Sequence, residues 1–218
     1  GTADGINEEK TNQYKGEAYF MLGFAYGELA TYYGDCVLNK GMTLEEAYEA
    51  VRTPKKEVMA YAYECLDKAI ELLPDSHTGQ QRPTKGVALG IKARFALYHE
   101  DWETAAQAAE QCMNSKVYKL HDNYGELFKA DSSPELMFYF KGDLTLKKGY
   151  GLFDNVYNYV IRKIGGACNR SPSLELFCSY TCTDGLPINK SPLYNPKDPF
   201  ANRDPRLAMT IQPFKTKY

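Results

Sequence analysis

Near the end of the chain, Asn202 to Leu207 (NRDPRL) set two arginines and an aspartate around a proline. Each guanidinium offers five donors in a rigid fork that a carboxylate accepts in bidentate fashion. Pro205 biases Asp204 toward extended backbone. No histidine, serine or cysteine nucleophile stands in this motif, so Arg203, Asp204 and Arg206 are read as a structural clamp that pins a long loop. Ligand contact is the weaker reading and catalysis weaker still. In TDGLPI (183–188) an Asp-Gly turn meets a proline, which reads first as a turn carrying Leu186 and Ile188 to the core. Its second reading is ligand binding, with Asp184 accepting from a ligand hydroxyl. Cys178 and Cys182 (CSYTC) suit a disulfide or half of a metal site, but no second ligand pair or nearby histidine completes one. His77, His99 and His121 lie in a linker, at a helix end and after KVYKL, without metal spacing. The glycines of LKKGYGLF and IGGAC match no phosphate-binding loop. The sequence therefore points to no metal and no cofactor.

Aromatic residues are the better lead. The chain has 18 tyrosines beside 10 phenylalanines and one tryptophan. Tyr150, Phe153, Tyr157 and Tyr159 lie in a Gly- and Asn-rich stretch and follow no helical stripe. Tyr150 and Tyr157, with Asn158, are candidate ligand-binding residues: ring faces stack on sugars while short polar groups bind hydroxyls. Trp102, at a helix start, reads as a packing residue. A glycan hydrolase would need two carboxylates about 5 to 9 Å apart across a cleft. Asp35, Asp184 and Asp204 are available for that role, yet no motif joins them. The chain is read as non-catalytic.

The elements that position these residues are mostly helices. The chain has 218 residues, with 26 basic side chains against 28 acidic ones. That near balance gives no general electrostatic reason to bind nucleic acid. No run of eighteen apolar residues exists, so no segment reads as a membrane-spanning helix. The start, GTADGINEEK, lacks an initiator methionine and reads as processed or trimmed. Leu22, Tyr26, Leu29 and Tyr33 recur at helical spacing, and Gly23 and Gly27 would let a second backbone approach closely. Pro54 opens a second long helix with the stripe Val58, Ala62, Leu66, Ala69, Ile70 and Leu73, which Pro74 stops. Thr84 caps a third helix bearing Ala88, Ile91, Phe95 and Tyr98. Trp102, Ala105, Ala106, Ala109 and Met113 mark a fourth. Past residue 115, KVYKL and ELMFYF read as short extended pieces, and SPSLELFCSY as one short helix capped by Ser171 or Ser173. The fold class is mainly α. Tetratricopeptide-like helical hairpins occupy 1–115, with an insertion at 34–53, and a loop-rich, partly irregular ligand-binding portion occupies 116–218, the two forming one integrated domain.

Five stretches taken together resemble the SusD/RagB family of outer-membrane nutrient-binding lipoproteins from Bacteroidetes. They are KGEAYFMLGFAYGELATYYGD, TPKKEVMAYAYECLDKAIELLP, RPTKGVALGIKARFALYHEDWETAAQAAEQCM, YKLHDNYGELF and DGLPINKSPLYNPKDPFANRDPRLAMTI, in the family's order. The resemblance implies a tetratricopeptide-like array with an irregular portion carrying much of the ligand surface. It implies non-catalytic binding of a glycan, oligosaccharide or related nutrient, and delivery to a TonB-dependent outer-membrane transporter (SusC-like). The full-length protein would be lipid-anchored and surface-exposed on the outer membrane. Members are commonly much longer, so a second chain that completes the fold is a further expectation. After YGD the family often continues with Pro-Leu, whereas here Cys36, Val37 and Leu38 follow. The rival reading is a helical-repeat module that recognises a protein partner along residues 16–114.

Overall fold

The computed structural model describes residues 7–77, 82–129, 132–139, 165–167, 169–213 and 216. It divides into two compact units, Gly1–Leu120 with Ser132–Tyr139, and His121–Asp131 with Phe140–Tyr218. The first contains α1 (Glu8–Tyr33), α2 (Leu44–Glu49), α3 (Lys55–Leu72), α4 (Lys85–Tyr98) and α5 (Trp102–Asn114). The second contains α6 (Tyr124–Leu127), α7 (Leu174–Ser179) and α8 (Arg206–Thr210). No strand forms among the described residues; two isolated antiparallel bridges, Cys36 with Thr53 and Cys182 with Arg203, take that place.

Local chemistry sets the helix ends. Asn7 accepts from the Lys10 amide at 2.9 Å, and Glu8 and Glu9 lie in the first turn of α1, where carboxylates suit the helix dipole. Thr84 and Asp101 cap α4 and α5 in the same way, accepting from Val87 and Thr104 amides. Pro54 brings no side-chain cap to α3; Asp35, twenty residues upstream, accepts from the Lys55 amide at 2.8 Å instead.

Helix packing in the first unit is antiparallel from one element to the next. Gly16 faces Leu72 and Leu73 while Gly23 faces Ala62 and Leu66, so α1 and α3 run in opposite senses. Lys92 of α4 pairs with Asp67 at 2.6 Å while the Lys85 amide donates to Pro74 O. The thiol of Cys112 reaches back to Gly86 O, closing α5 onto α4. Most of the α3 stripe is buried as its spacing predicts: Val58, Ala62, Leu66 and Ala69 are fully covered and Leu73 is buried, while Ile70 is half-buried. Val58 and Leu66 each contribute about 1.5–3 kcal/mol relative to exposure, and the two alanines less.

The face of α1 differs from the expectation. Gly16, Phe20, Gly23, Tyr26, Gly27 and Ala30 are its buried residues, whereas Leu22 and Leu29 are more than a third exposed and Tyr33 is 75% exposed. The helix turns its small residues toward its neighbours because only they allow the approach that α3 and Phe95 require. Phe20 is the one large side chain set fully inside, against Phe24 and edge-on to Phe138. Trp102 departs similarly: it is 62% exposed.

Two loop regions complete this unit. Residues 34–53 are closed by the Cys36–Thr53 bridge. Tyr26 holds them to the core, its hydroxyl donating to Asn39 O and accepting from the Asn39 amide. Leu38 is buried there, and α2 carries a full capping box between Thr43 and Glu46. The pieces expected to be extended after residue 115 form no ladder; side chains fix them. Tyr118 packs over Gly86 and shares a 2.6 Å hydrogen bond with Thr84, and Met137 and Phe138 pack against the core.

A Cβ at Gly23 would lie 2.7 Å from Leu66 Cγ and 2.9 Å from the Ala62 carbonyl oxygen. Helix propensity alone would favour Gly23→Ala by about 1 kcal/mol, but overpacking against backbone costs about 1–3 kcal/mol. The overlap wins: Gly23→Ala is expected to lower the urea midpoint, and a raised midpoint would contradict this packing.

Candidate ligand-binding site

In the second unit, the side chain of Arg203 is buried in the middle of loops. Its Nη2 donates to Phe177 O at 2.7 Å and Tyr180 O at 2.9 Å, and its Nη1 donates to Pro199 O at 2.9 Å. The guanidinium lies 4.8 Å from the Phe177 ring centroid and 5.6 Å from that of Tyr194. Phe200 meets Phe177 edge-on. Backbone bonds from Thr183 to Asn202 O and from Asp204 to Thr181 O tie the same two segments together. One side chain thus joins the end of α7, the 199–204 turn and the 180–186 loop. Only its Nε, buried, lacks a partner among the described residues.

Asp204 and Arg206 behave differently. The Asp204 carboxylate accepts from the Arg206 amide at 2.9 Å and from the Arg206 guanidinium through Nε and Nη2. That guanidinium holds the Asp204 carboxyl below its ordinary range. Arg206 is 60% exposed and pairs with a residue only two positions away, so it ties down no distant segment.

These two residues form one side of a cleft of about 280 Å³ with Tyr124, Ser179, Tyr180 and Thr181. Short elements position each wall. Asn123 caps α6 through the Gly125 and Glu126 amides and so starts the turn bearing Tyr124. Ser173 caps α7, which ends at Ser179. Tyr180 is anchored at its hydroxyl by Thr210 at 3.0 Å, leaving its ring beside the cleft. Tyr124 is held edge-on by Phe128. Two phenol rings, two small hydroxyls and a guanidinium–carboxylate pair give stacking faces with donors and acceptors around them, the chemistry a sugar requires.

The other sequence candidates fall elsewhere. Asp184 is exposed, but both its oxygens are engaged: Oδ1 accepts from the Leu186 amide and Oδ2 from the Ser191 hydroxyl at 2.7 Å. The Ser191 bond chiefly depresses its pKa. Leu186, expected in the core, is 42% exposed, because the turn closes through this carboxylate. Tyr150, Tyr157 and Asn158 lie outside the described residues. Cys178 and Cys182 are free thiols. Among the described residues no group of three His, Cys, Asp or Glu could hold a metal ion, and no helix is long and apolar enough to cross a membrane.

A family model for SusD-like proteins, described as starch-binding and associating with outer membrane, matches residues 3–97. The crystal structure of a SusD-like carbohydrate binding protein from Bacteroides fragilis aligns with TM-score 0.78 and 27% identity over 94% of this chain. The chain is similar to SusD-like proteins in sequence and in fold. A second SusD-like structure from Bacteroides fragilis, 24% identical, shares the fold with TM-score 0.77 over 94% of this chain. SusD-like protein P2 from Formosa agariphila is 27% identical over 135 residues, which is 60% of this chain. The chain spans 27% of that SusD-like protein and 41% and 44% of the two structures, less than half of each.

Sequence reasoning missed Tyr124 and Tyr180, although both stand within or beside stretches that carry the family resemblance. A usable signal was present: Tyr124 follows the capping residue Asn123, and Tyr180 sits between the two cysteines of CSYTC. Both are thus fixed by a helix end. The unequal surroundings of the two arginines give a direct test. Arg203→Lys leaves one ammonium to serve three carbonyls and is expected to cost about 2–4 kcal/mol. It should be read as faster amide exchange across 177–207. Arg206→Ala should stay within about 0.5 kcal/mol. Equal effects of the two would overturn this division of labour.

Proposed function

We propose that this chain binds a glycan or oligosaccharide without acting on it, through the Tyr124–Tyr180–Arg206 cleft of the second unit. The observation that carries the reading is two anchored tyrosine rings beside an exposed guanidinium and two small hydroxyls. The rings offer apolar faces to the C–H side of a sugar, while Arg206, Ser179 and Thr181 reach its hydroxyls. The pairing of Arg206 with Asp204 keeps the guanidinium in place before a ligand arrives, which lowers the entropy cost of capture. Similarity to SusD-like proteins, among them a carbohydrate binding protein of Bacteroides fragilis, supports the same reading. Nothing in capture requires proton transfer, so the cleft needs no acid–base pair.

Within a full-length protein the bound sugar would pass to a TonB-dependent outer-membrane transporter, with the protein lipid-anchored and facing outward. This part of the proposal rests on the family and not on the cleft. Affinity for one site is modest, because sugar hydroxyls exchange water bonds for protein bonds with little net gain.

A glycan array identifies the sugar class, and calorimetry on variants tests the site. Tyr180→Ala removes a stacking face worth about 0.5–1.5 kcal/mol, a weakening of up to about tenfold. Tyr180→Phe keeps the ring and is expected to keep most of the affinity. Arg206→Ala, which leaves the fold intact, should weaken binding as well. Unchanged affinity in both alanine variants, or release of reducing ends by the purified chain, would contradict the proposal.

A further inference from the structure

The first unit holds a larger cavity, about 590 Å³, where the start of α3 meets the end of α4. Lys55, Lys56, Met59, Tyr63, His99 and Asp101 are among its lining residues. Several of these polar groups have no hydrogen-bond or ion-pair partner among the described residues. Neither lysine forms an ion pair, and the Tyr63 hydroxyl makes no hydrogen bond among the described residues. Asp101 is engaged, since its Oδ1 caps α5 through the Thr104 amide.

The His99 tautomer follows from its neighbour. Thr31 spends its hydroxyl proton on Gly27 O at 2.7 Å, one turn back along α1. Its oxygen can therefore only accept from His99 Nε2, 3.1 Å away. The proton sits on Nε2, and Nδ1 of the neutral ring carries a lone pair. Burial and then the Lys55 charge push the imidazole below its ordinary value, which favours that neutral form. The cavity thus presents two ammonium groups, an imidazole acceptor and a phenol hydroxyl around an apolar wall at Met59, itself only 5% exposed.

We infer that this cavity binds an acidic sugar, a hydroxylated ring bearing a carboxylate or sulfate. The anion pairs with Lys55 and Lys56. Ring hydroxyls donate to His99 Nδ1 and exchange hydrogen bonds with Tyr63, and the C–H face lies on Met59. Asp101 supplies one carboxylate to the cavity against two ammonium groups, so an acidic sugar adds a counter-charge that a neutral sugar does not, and the site favours acidic over neutral sugars. The volume suits one or two sugar rings. The inference rests on the glycan reading in one respect, that the anion arrives on a sugar.

The full chain is titrated with D-glucuronate, glucose 6-sulfate and glucose while the imidazole signals are followed by NMR. The chain has three histidines, and His99→Gln assigns the relevant signal. One or both acids should move the His99 signal while glucose at equal concentration does not, and the acid that binds distinguishes carboxylate from sulfate. Replacing Lys55 and Lys56 together by glutamine should weaken that binding about tenfold or more. The fold should persist, since α3 is capped through the Lys55 backbone amide, and circular dichroism checks it. A still His99 signal with every acid, or equal affinity in the double variant, overturns the inference. If neutral oligosaccharides then still bind at the Tyr124–Tyr180 cleft, the glycan reading survives that failure; if no sugar binds at all, both fall.

Discussion

A guanidinium withdrawn from water needs acceptors, and Arg203 finds three carbonyls, two at the end of α7 and one in the 199–204 turn, with only Nε left unpartnered among the described residues. The loop-rich unit depends on that requirement. Its described helices are too short to build a core from apolar stripes, with four to six residues each. A buried charge supplies directional bonds where apolar area is lacking. The Phe177 and Tyr194 rings beside the guanidinium exclude water and make those bonds stronger. Leu207, 1% exposed, adds a buried apolar side chain to the unit. The walls of the cleft are direct consequences, because Tyr180 O and Phe177 O are two of the three acceptors.

The first unit solves a different problem by different means. Its helices are long and its core is apolar, so close approach is the limiting constraint. Glycines at 16, 23 and 27 give α1 a nearly bare face, into which Leu66, Leu73 and the Phe95 ring pack. Polar contacts are peripheral here. The Arg82–Glu17 pair, with Tyr14 beside the guanidinium, ties the start of α4 to α1. Burial pushes the Glu17 carboxyl up, but the hydrogen bonds from Arg82 and Gln13 outweigh it and leave the pKa lowered.

Much of this was legible in the residues. The α3 stripe, the Thr84 and Ser173 caps and the breaks at Pro54 and Pro74 are local signals, and the structure places each helix end at or beside them. The α1 face was not legible from apolar spacing, because its partner surface is defined by the absence of side chains. Large residues at 22, 29 and 33 share a helical face whether or not anything covers it. The cleft was hidden for a related reason. Tyr124 and Tyr180 lie 56 positions apart in the sequence, and only the α6–α8 packing and the Arg203 bonds make them neighbours. By contrast, the difference between Arg203 and Arg206 has no sequence signature, since burial depends on which side of a turn faces the protein.

The account holds that anchored tyrosines in the second unit capture a sugar that leaves unchanged. A crystal structure of the chain with an oligosaccharide chosen from the array tests this most directly. The account predicts an intact sugar ring against Tyr124 or Tyr180 with a hydroxyl in reach of Arg206. An empty cleft beside a sugar bound elsewhere in the chain would contradict it.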